Sequence, residues 1–302
     1  MDKLINIGGH GLGDCILSLQ ISHLLKERSI EHINLISTRN EVYEPLKFLF
    51  SKKFEFSQID TKFSHENNIL FQDSLQNEIK KSHKSSNITY NVPDLLFRSP
   101  LSLNYKNYGV TPSLIKETRV FTDYPKLNKN IIYCGLCSTT DRYVYKNIPI
   151  LLLRLAEFLP SYTIYFPKVD KWDKDINNLG NFNIQYPDNV FIHENPSFID
   201  SLEWLTQSSY GIFTCNGPSH IAYHLGIPRL VLDPQFNKIP WISRWKENYN
   251  ECIPIDTDMN LIAQLVSANI NYPQTQMIDS KIVLDLIAQN NTSWKDIFYF
   301  KF

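Results

Sequence analysis

The stretch Gly211–Pro234, GIFTCNGPSHIAYHLGIPRLVLDP, decides the fold. It reads as the end of a buried strand at Ile212 and Phe213, a tight turn at Asn216 and Gly217, a short helix, and a second strand from Ile227 to Leu232. Pro218 suits the first turn of a helix, where a missing N–H costs nothing. Ser219 to Leu225 continue that helix and Gly226 stops it. The free N–H groups at such a helix start, with the helix dipole behind them, favour an anion. Asn216, Gly217, Pro218, Ser219 and His220 sit at that start, and the pattern reads as a place to hold a diphosphate.

Working backwards, Ile131–Cys134 is an apolar strand that leads into the loop GLCSTTDRYVYKNIP (Gly135–Pro149) and a helix over Ile150–Phe158. Ser138, Thr139 and Thr140 offer hydroxyls to a phosphate. Arg142 and Lys146 place positive charge just before a helix, where it opposes the dipole. A bound anion would account for them; a solvated basic loop is the equal alternative. Tyr162–Phe166 is the next strand, and Asp170 after it is placed to reach a ribose. Val190–Ile192 is a short strand. Ser197 and Asp200 form a capping box that opens a helix with Ile199, Leu202, Trp204 and Leu205 on its apolar face. Strands near 131, 162, 190, 211 and 228 alternating with helices make a complete α/β sheet.

Beyond Pro234, Phe236, Trp241 and Trp245 among basic residues suit a lid, a cleft wall or a surface loop. Helices are expected over Asp256–Ala268 and Ser280–Gln289. The tail SWKDIFYFKF is expected to pack back across the domains rather than lie on a membrane.

At the other end, Leu4–Ile7 is a short strand followed by GGHGLGD (Gly8–Asp14). Apolar residues from Cys15 to Leu25 then recur at helical spacing, and Ile33–Ile36 is the next strand. This is a βαβ start with a ligand-binding turn at the carboxyl end of its first strand. Gly11 and Gly13 let a backbone approach a ligand closely. Asp14 reads equally as a helix cap and as a general base aimed into a cleft, and His10 is ambiguous in the same way. The spacing is not the dinucleotide G-x-G-x-x-G, because Asp14 holds the third glycine slot, and no Lys-Ser/Thr follows as in a phosphate loop.

Between these ends the signal weakens: a helix near 41–51, strands at 54–59 and 68–72, and a polar, basic loop over Lys80–Asn87. Tyr124–Asn130 has the composition of an interdomain linker.

The chain of 302 residues suits two domains, and its 43% hydrophobic and 20% charged content is ordinary for a soluble globular protein. A net charge of −1 gives no reason to expect a nucleic-acid partner. No apolar run reaches the ~18 residues of a membrane span, and the start lacks a signal-peptide pattern. A cytoplasmic protein is expected, peripheral at most to the inner membrane face. Five scattered cysteines make no disulfide framework. The Cys134-x-x-Cys137 pair ends a strand instead of opening a helix, which argues against a redox or zinc role.

Taken together, a glycine turn ending in Asp14, the K-x-x-P of Lys146–Pro149 and the late N-G-P-S-H resemble the GT-B glycosyltransferases. They are most similar to the ADP-heptose:lipopolysaccharide heptosyltransferases of glycosyltransferase family 9. Asn216, Gly217, Ser219, His220, Ala222, Leu225, Gly226 and Pro228 fit that family's late D-S/T-G-x-x-H-x-A-x-A-L-G-x-P motif. Cys215 stands where the family has an acid, and Ile148 stands where it has the tryptophan of K-x-W-P. The resemblance implies an α/β protein of two Rossmann-like domains facing across a cleft. An acceptor domain over 1–125, a donor domain over 126–285 and a tail over 286–302 are expected.

It further implies inverting glycosyl transfer from a nucleoside-diphosphate sugar to a glycan or glycolipid. Asp14 would be the base. Gly11, Gly13, Ser138, Thr139, Lys146, Asn216, Gly217, Pro218, Ser219 and His220 would line the donor. Asp170 would lie by the ribose or base, and His10 and Arg142 on the acceptor side. No D-x-D pair is placed for a metal, so neither metal nor cofactor is expected. A non-hydrolysing nucleotide-sugar epimerase and a catalytically degenerate nucleotide-sugar binder remain open. The failed G-x-G-x-x-G argues against a nicotinamide oxidoreductase.

Overall fold

The computed structural model describes residues 3–7, 12–13, 16, 20, 23–24, 32–37, 55–58, 87–90, 119, 121, 127, 129–138, 144–169, 182–233 and 252–271. The chain divides into two compact units, Met1–Tyr124 and Pro125–Phe302.

The first unit carries a parallel sheet of β1 (Lys3–Ile7), β2 (His32–Ser37), β3 (Glu55–Gln58) and β4 (Asn87–Tyr90), in the order β3-β2-β1-β4. Leu12 and Gly13 are already helical, so the helix after β1 opens inside the glycine segment and not at Cys15. Ile16, Gln20 and Leu24 of that helix are buried; spaced by four, they form one inward face. The expected strand at 54–59 is β3. Strand β4 corrects the reading of Lys80–Asn87 as loop throughout: Asn87 is a strand residue paired beside β1. Its NITY sequence alternates polar residues with strand formers, but four residues between polar flanks carry little periodic signal. The helix at 41–51 and the strand at 68–72 lie outside the described residues.

The second unit is a six-stranded parallel sheet, order β10-β9-β8-β5-β6-β7. In chain order its elements are β5 (Lys129–Gly135), α1 (Ile148–Phe158), β6 (Thr163–Lys168), β7 (Val190–Glu194), α2 (Phe198–Gln207), β8 (Ser208–Thr214), α3 (Gly217–Leu225), β9 (Arg229–Asp233), β10 (Cys252–Pro254) and α4 (Met259–Asn271). Numbered within this sheet, the strands run 6-5-4-1-2-3, the doubly wound order of dinucleotide-binding sheets.

Several boundaries differ from expectation. Strand β5 begins at Lys129, inside the expected linker, because Lys129 pairs with Ser208. Helix α1 begins at Ile148 after a left-handed Asn147 (φ 61°), so Pro149 lies in its first turn. Helix α4 begins at Met259, because the Asp258 carboxylate accepts from the N–H of Asn260 at 2.9 Å and of Leu261 at 3.3 Å. Strand β10 was not foreseen; three residues against β9 carry no period of their own. The helix at 280–289 and the tail lie outside the described residues.

The sheet is covered on both faces, as a parallel sheet must be. On one face Ile132, Cys134, Ile164, Phe166, Ile212 and Leu230 form a single core with Leu151, Leu152 and Leu155 of α1 and Ile262 and Val266 of α4. The other face is aromatic. Tyr133 stacks on Phe213 with ring centres 5.7 Å apart and lies 5.3 Å from Tyr165. Trp204 of α2 stacks on Tyr165 at 4.5 Å. Helix α2 opens with the expected capping box, Asp200 N–H donating to Ser197 Oγ at 3.1 Å and Ser197 N–H to Asp200 Oδ2 at 3.0 Å. Hydrogen bonding to Ser197 holds the Asp200 carboxyl below its usual range. Ile199, expected on the apolar face, is half exposed instead.

Glycines make room for the aromatic face. Gly211 lies opposite Tyr133 in the ladder, and Gly135 opposite Phe213. A Cβ on Gly135 would come within 2.6 Å of the Phe213 ring, and one on Gly211 would overlap that ring. Gly→Ala in a strand ordinarily gains stability by about 0.5–1 kcal/mol. Here the sign reverses: Gly211→Ala is expected to cost about 1–3 kcal/mol through overpacking, read from the urea midpoint.

Candidate functional site

Open α/β sheets bind ligands outside the carboxyl ends of their strands, where the order of connection reverses. In the second unit that place lies between β5 and β8. Strand β5 runs out through Gly135 into Leu136–Ser138, and β8 runs out through Thr214 into Cys215, Asn216 and α3. The last paired residues of this ladder are Gly135 and Phe213.

Helix α3 is built as its sequence indicates. Asn216 is the N-cap, with φ −138° and ψ 176°, and its Oδ1 accepts from Ser219 N–H at 3.1 Å. Pro218 lies in the first turn. Gly226 ends the helix in the left-handed region at φ 66°, its N–H donating to Tyr223 O at 2.8 Å. Strand β9 then starts at Arg229, two residues later than expected. Ser219, Ile221, Ala222, Tyr223, His224 and Leu225 are buried, whereas Gly217, Pro218 and His220 are half-buried. The helix start therefore presents Gly217, Pro218 and His220 outward.

The Asn216 side chain also reaches across the switch point. Its Nδ2 donates to Gly135 O at 2.7 Å, to Cys137 O at 2.9 Å and to Thr214 Oγ1 at 3.2 Å. Ser219 Oγ donates to Asn216 O at 2.6 Å. Asn216 and Ser219 are thus engaged with the protein itself. The part of Thr214 and of the Gly135 and Cys137 carbonyls was not singled out in the sequence, because backbone acceptors carry no residue-type signal.

The loop after β5 is closed at its base, where Tyr145 N–H donates to Leu136 O at 3.1 Å. Ser138 is half-buried on the outgoing limb, and Lys146 is exposed on the returning one, directly before α1. Burial and the nearby Asp258 push the Tyr145 phenol up to about 12. Cys134 and Cys137 are buried and in no disulfide, and burial pushes the Cys134 thiol up, against the character of a reactive thiolate there. Among the described residues no group of His, Cys, Asp or Glu is arranged to hold a metal, and no helix is long and apolar enough to cross a membrane.

Asp233, not anticipated, is buried at the carboxyl end of β9. Its backbone carbonyl accepts from Ile255 N–H at 3.1 Å, tying β9 to the turn after β10. In the first unit Gly13 is helical and half-buried. His10, Gly11, Asp14, Thr139, Arg142 and Asp170 lie outside the described residues.

No protein-family model matches the chain, and no curated protein matches it in sequence. Solved structures do. The ADP-heptose LPS heptosyltransferase II of E. coli aligns at TM-score 0.55 and 12% identity, over 90% of this chain and 100% of its own. The E. coli heptosyltransferase WaaC with ADP aligns at TM-score 0.55 and 10% identity, over 89% and 98%. The UDP-GlcNAc 2-epimerase of Neisseria meningitidis, bound to UDP-GlcNAc, aligns at TM-score 0.53 and 13% identity, over 96% and 100%. The chain therefore resembles the family 9 heptosyltransferases in structure as in motif, and its fold is the two-domain α/β fold that GT-B glycosyltransferases share with these epimerases.

The caps of α2 and α3 differ in what they hold. Ser197→Ala removes an exposed cap and is expected to cost about 1 kcal/mol. Asn216→Ala also leaves the Gly135 and Cys137 carbonyls without their donor, and is expected to cost about 2–4 kcal/mol. Chemical denaturation of the two variants side by side measures the difference.

Proposed function

We propose that the chain is a GT-B glycosyltransferase that moves a sugar from a nucleoside-diphosphate sugar to a hydroxyl of a glycan or glycolipid, with inversion and without a metal. The observation that carries this reading is the helix start at the switch point of the second sheet. Helix α3 opens beside the loop from β5, with Gly217 and His220 presented outward. A diphosphate there would meet backbone dipoles and polar side chains that need no rearrangement as charge develops on the leaving group. The heptosyltransferase bound to ADP and the epimerase bound to UDP-GlcNAc share this fold and have nucleotide ligands.

In this reading the second unit is the donor domain. Gly217, His220, Ser138 and Thr139 face the diphosphate, Lys146 adds a charge, and Asp170 serves the ribose. Asn216, Pro218 and Ser219 shape the helix start. The first unit is the acceptor domain. Its Gly11 and Gly13 allow close approach, His10 and Arg142 attend the acceptor, and Asp14 takes the proton from the attacking hydroxyl. The epimerase alignment supports a second reading, in which the bound sugar nucleotide is isomerised instead of transferred.

Calorimetric titration with ADP-, UDP-, GDP- and CMP-sugars, followed by analysis of the sugar nucleotide after incubation with a lipid-linked glycan extract, separates the readings. Transfer to the extract is expected. An isomerised donor without transfer would favour the epimerase, and absence of binding would leave a protein without this activity. Asp14→Asn is expected to lower transfer by about 10²–10⁴-fold while leaving donor affinity unchanged. Lys146→Ala is expected to weaken donor binding by about tenfold or more, read in the same titration. Full transfer by the Asp14 variant would remove Asp14 as the base.

A further inference from the structure

The paired register of β5 and β8 ends at Gly135 and Phe213. The segments that leave the sheet there form the two sides of the proposed diphosphate site, and they need another means of holding together. Asn216 supplies it. The residue is 9% exposed. Its amide nitrogen donates to the carbonyls of Gly135 and Cys137, two residues apart on the outgoing loop, while its amide oxygen caps α3 through Ser219 N–H. One planar group thus bonds to both sides.

Few side chains can do this. Aspartate caps a helix equally well, but its carboxylate has no donor for the two carbonyls. Serine and threonine have one hydroxyl proton and a shorter reach. Asparagine alone among strong helix caps carries an acceptor and two donors on one rigid group.

We infer that Asn216 is a positioning residue for the diphosphate: it sets the distance and angle between the α3 start, with Gly217 and His220, and the loop that carries Ser138. The inference rests on the donor site proposed above. It assigns Asn216 a role distinct from ligand contact. Its amide nitrogen is turned to the protein, and its effect on binding passes through the groups it holds.

The test is calorimetric titration of ADP, UDP and GDP into wild type, Asn216→Ser and Val266→Ala, with thermal midpoints and hydrogen exchange at Ser219. Val266→Ala opens the aliphatic core at α4 and controls for lost stability. Asn216→Ser keeps a cap oxygen, so protection at Ser219 should survive. The diphosphate Kd should rise by about tenfold or more through loss of positioning, while Val266→Ala, which leaves the Asn216 bonds in place, stays within about twofold of wild type.

Wild-type affinity in Asn216→Ser overturns the inference and leaves the proposed function standing. An equal loss in Val266→Ala overturns it too, by tracing the effect to general stability. Failure of wild type to bind any of the three diphosphates overturns both. Should Asn216→Ser not fold, Asn216→Thr carries the test. It keeps a cap oxygen and lacks the amide nitrogen that bonds Gly135 and Cys137, so a Kd raised about threefold or more supports the inference and an unchanged Kd overturns it.

Discussion

Where β5 and β8 leave the second sheet, one amide bonds to both segments. A parallel sheet is held together by backbone pairing, and that pairing stops where strands diverge to make room for a ligand. The carbonyls exposed by the divergence must find donors, since a buried acceptor left unpaired costs about 1–3 kcal/mol. Asn216 meets the need for Gly135 and Cys137 and caps α3 with the same group. The crevice can therefore open between β5 and β8 without leaving those carbonyls unpaired.

Beneath that edge the sheet is kept in place by two unlike faces. The aliphatic face packs α1 and α4 into one continuous core. The aromatic face interlocks, with Tyr133 across from Gly211 and Phe213 across from Gly135. Each ring lies opposite a residue with no side chain, so two large groups fit on adjacent strands. This interlock reaches Gly135, whose carbonyl Asn216 then binds. Core packing and the geometry of the crevice thus meet at a single residue.

Local chemistry made part of this legible in the sequence. The turn, cap, proline and stop glycine of α3 are each set by residue type and appear where the sequence indicates. So does the Ser197–Asp200 capping box. Short paired segments were not legible: β4 and β10 are strands because of the neighbours they pair with, a long-range property. The early start of β5 at Lys129 has the same origin. In the candidate site, the position of Asn216 was readable but its duty was not. A capping side chain looks the same in sequence whether its remaining donors face a ligand or the carbonyls of a strand seventy-nine to eighty-one residues away.

Cys215 stands where the resembling family carries an acid, and its surroundings give a physical reason. It is half-buried and packs against Val231 and Cys252, an apolar contact of the residue after β8 with β9 and β10. A carboxylate there would lose hydration against these side chains, which is costly without a partner. A small neutral side chain avoids that penalty. The anion binding proposed at this helix start would rely on backbone N–H groups and the dipole, which are indifferent to the residue at position 215. The substitution is therefore compatible with the proposed donor site.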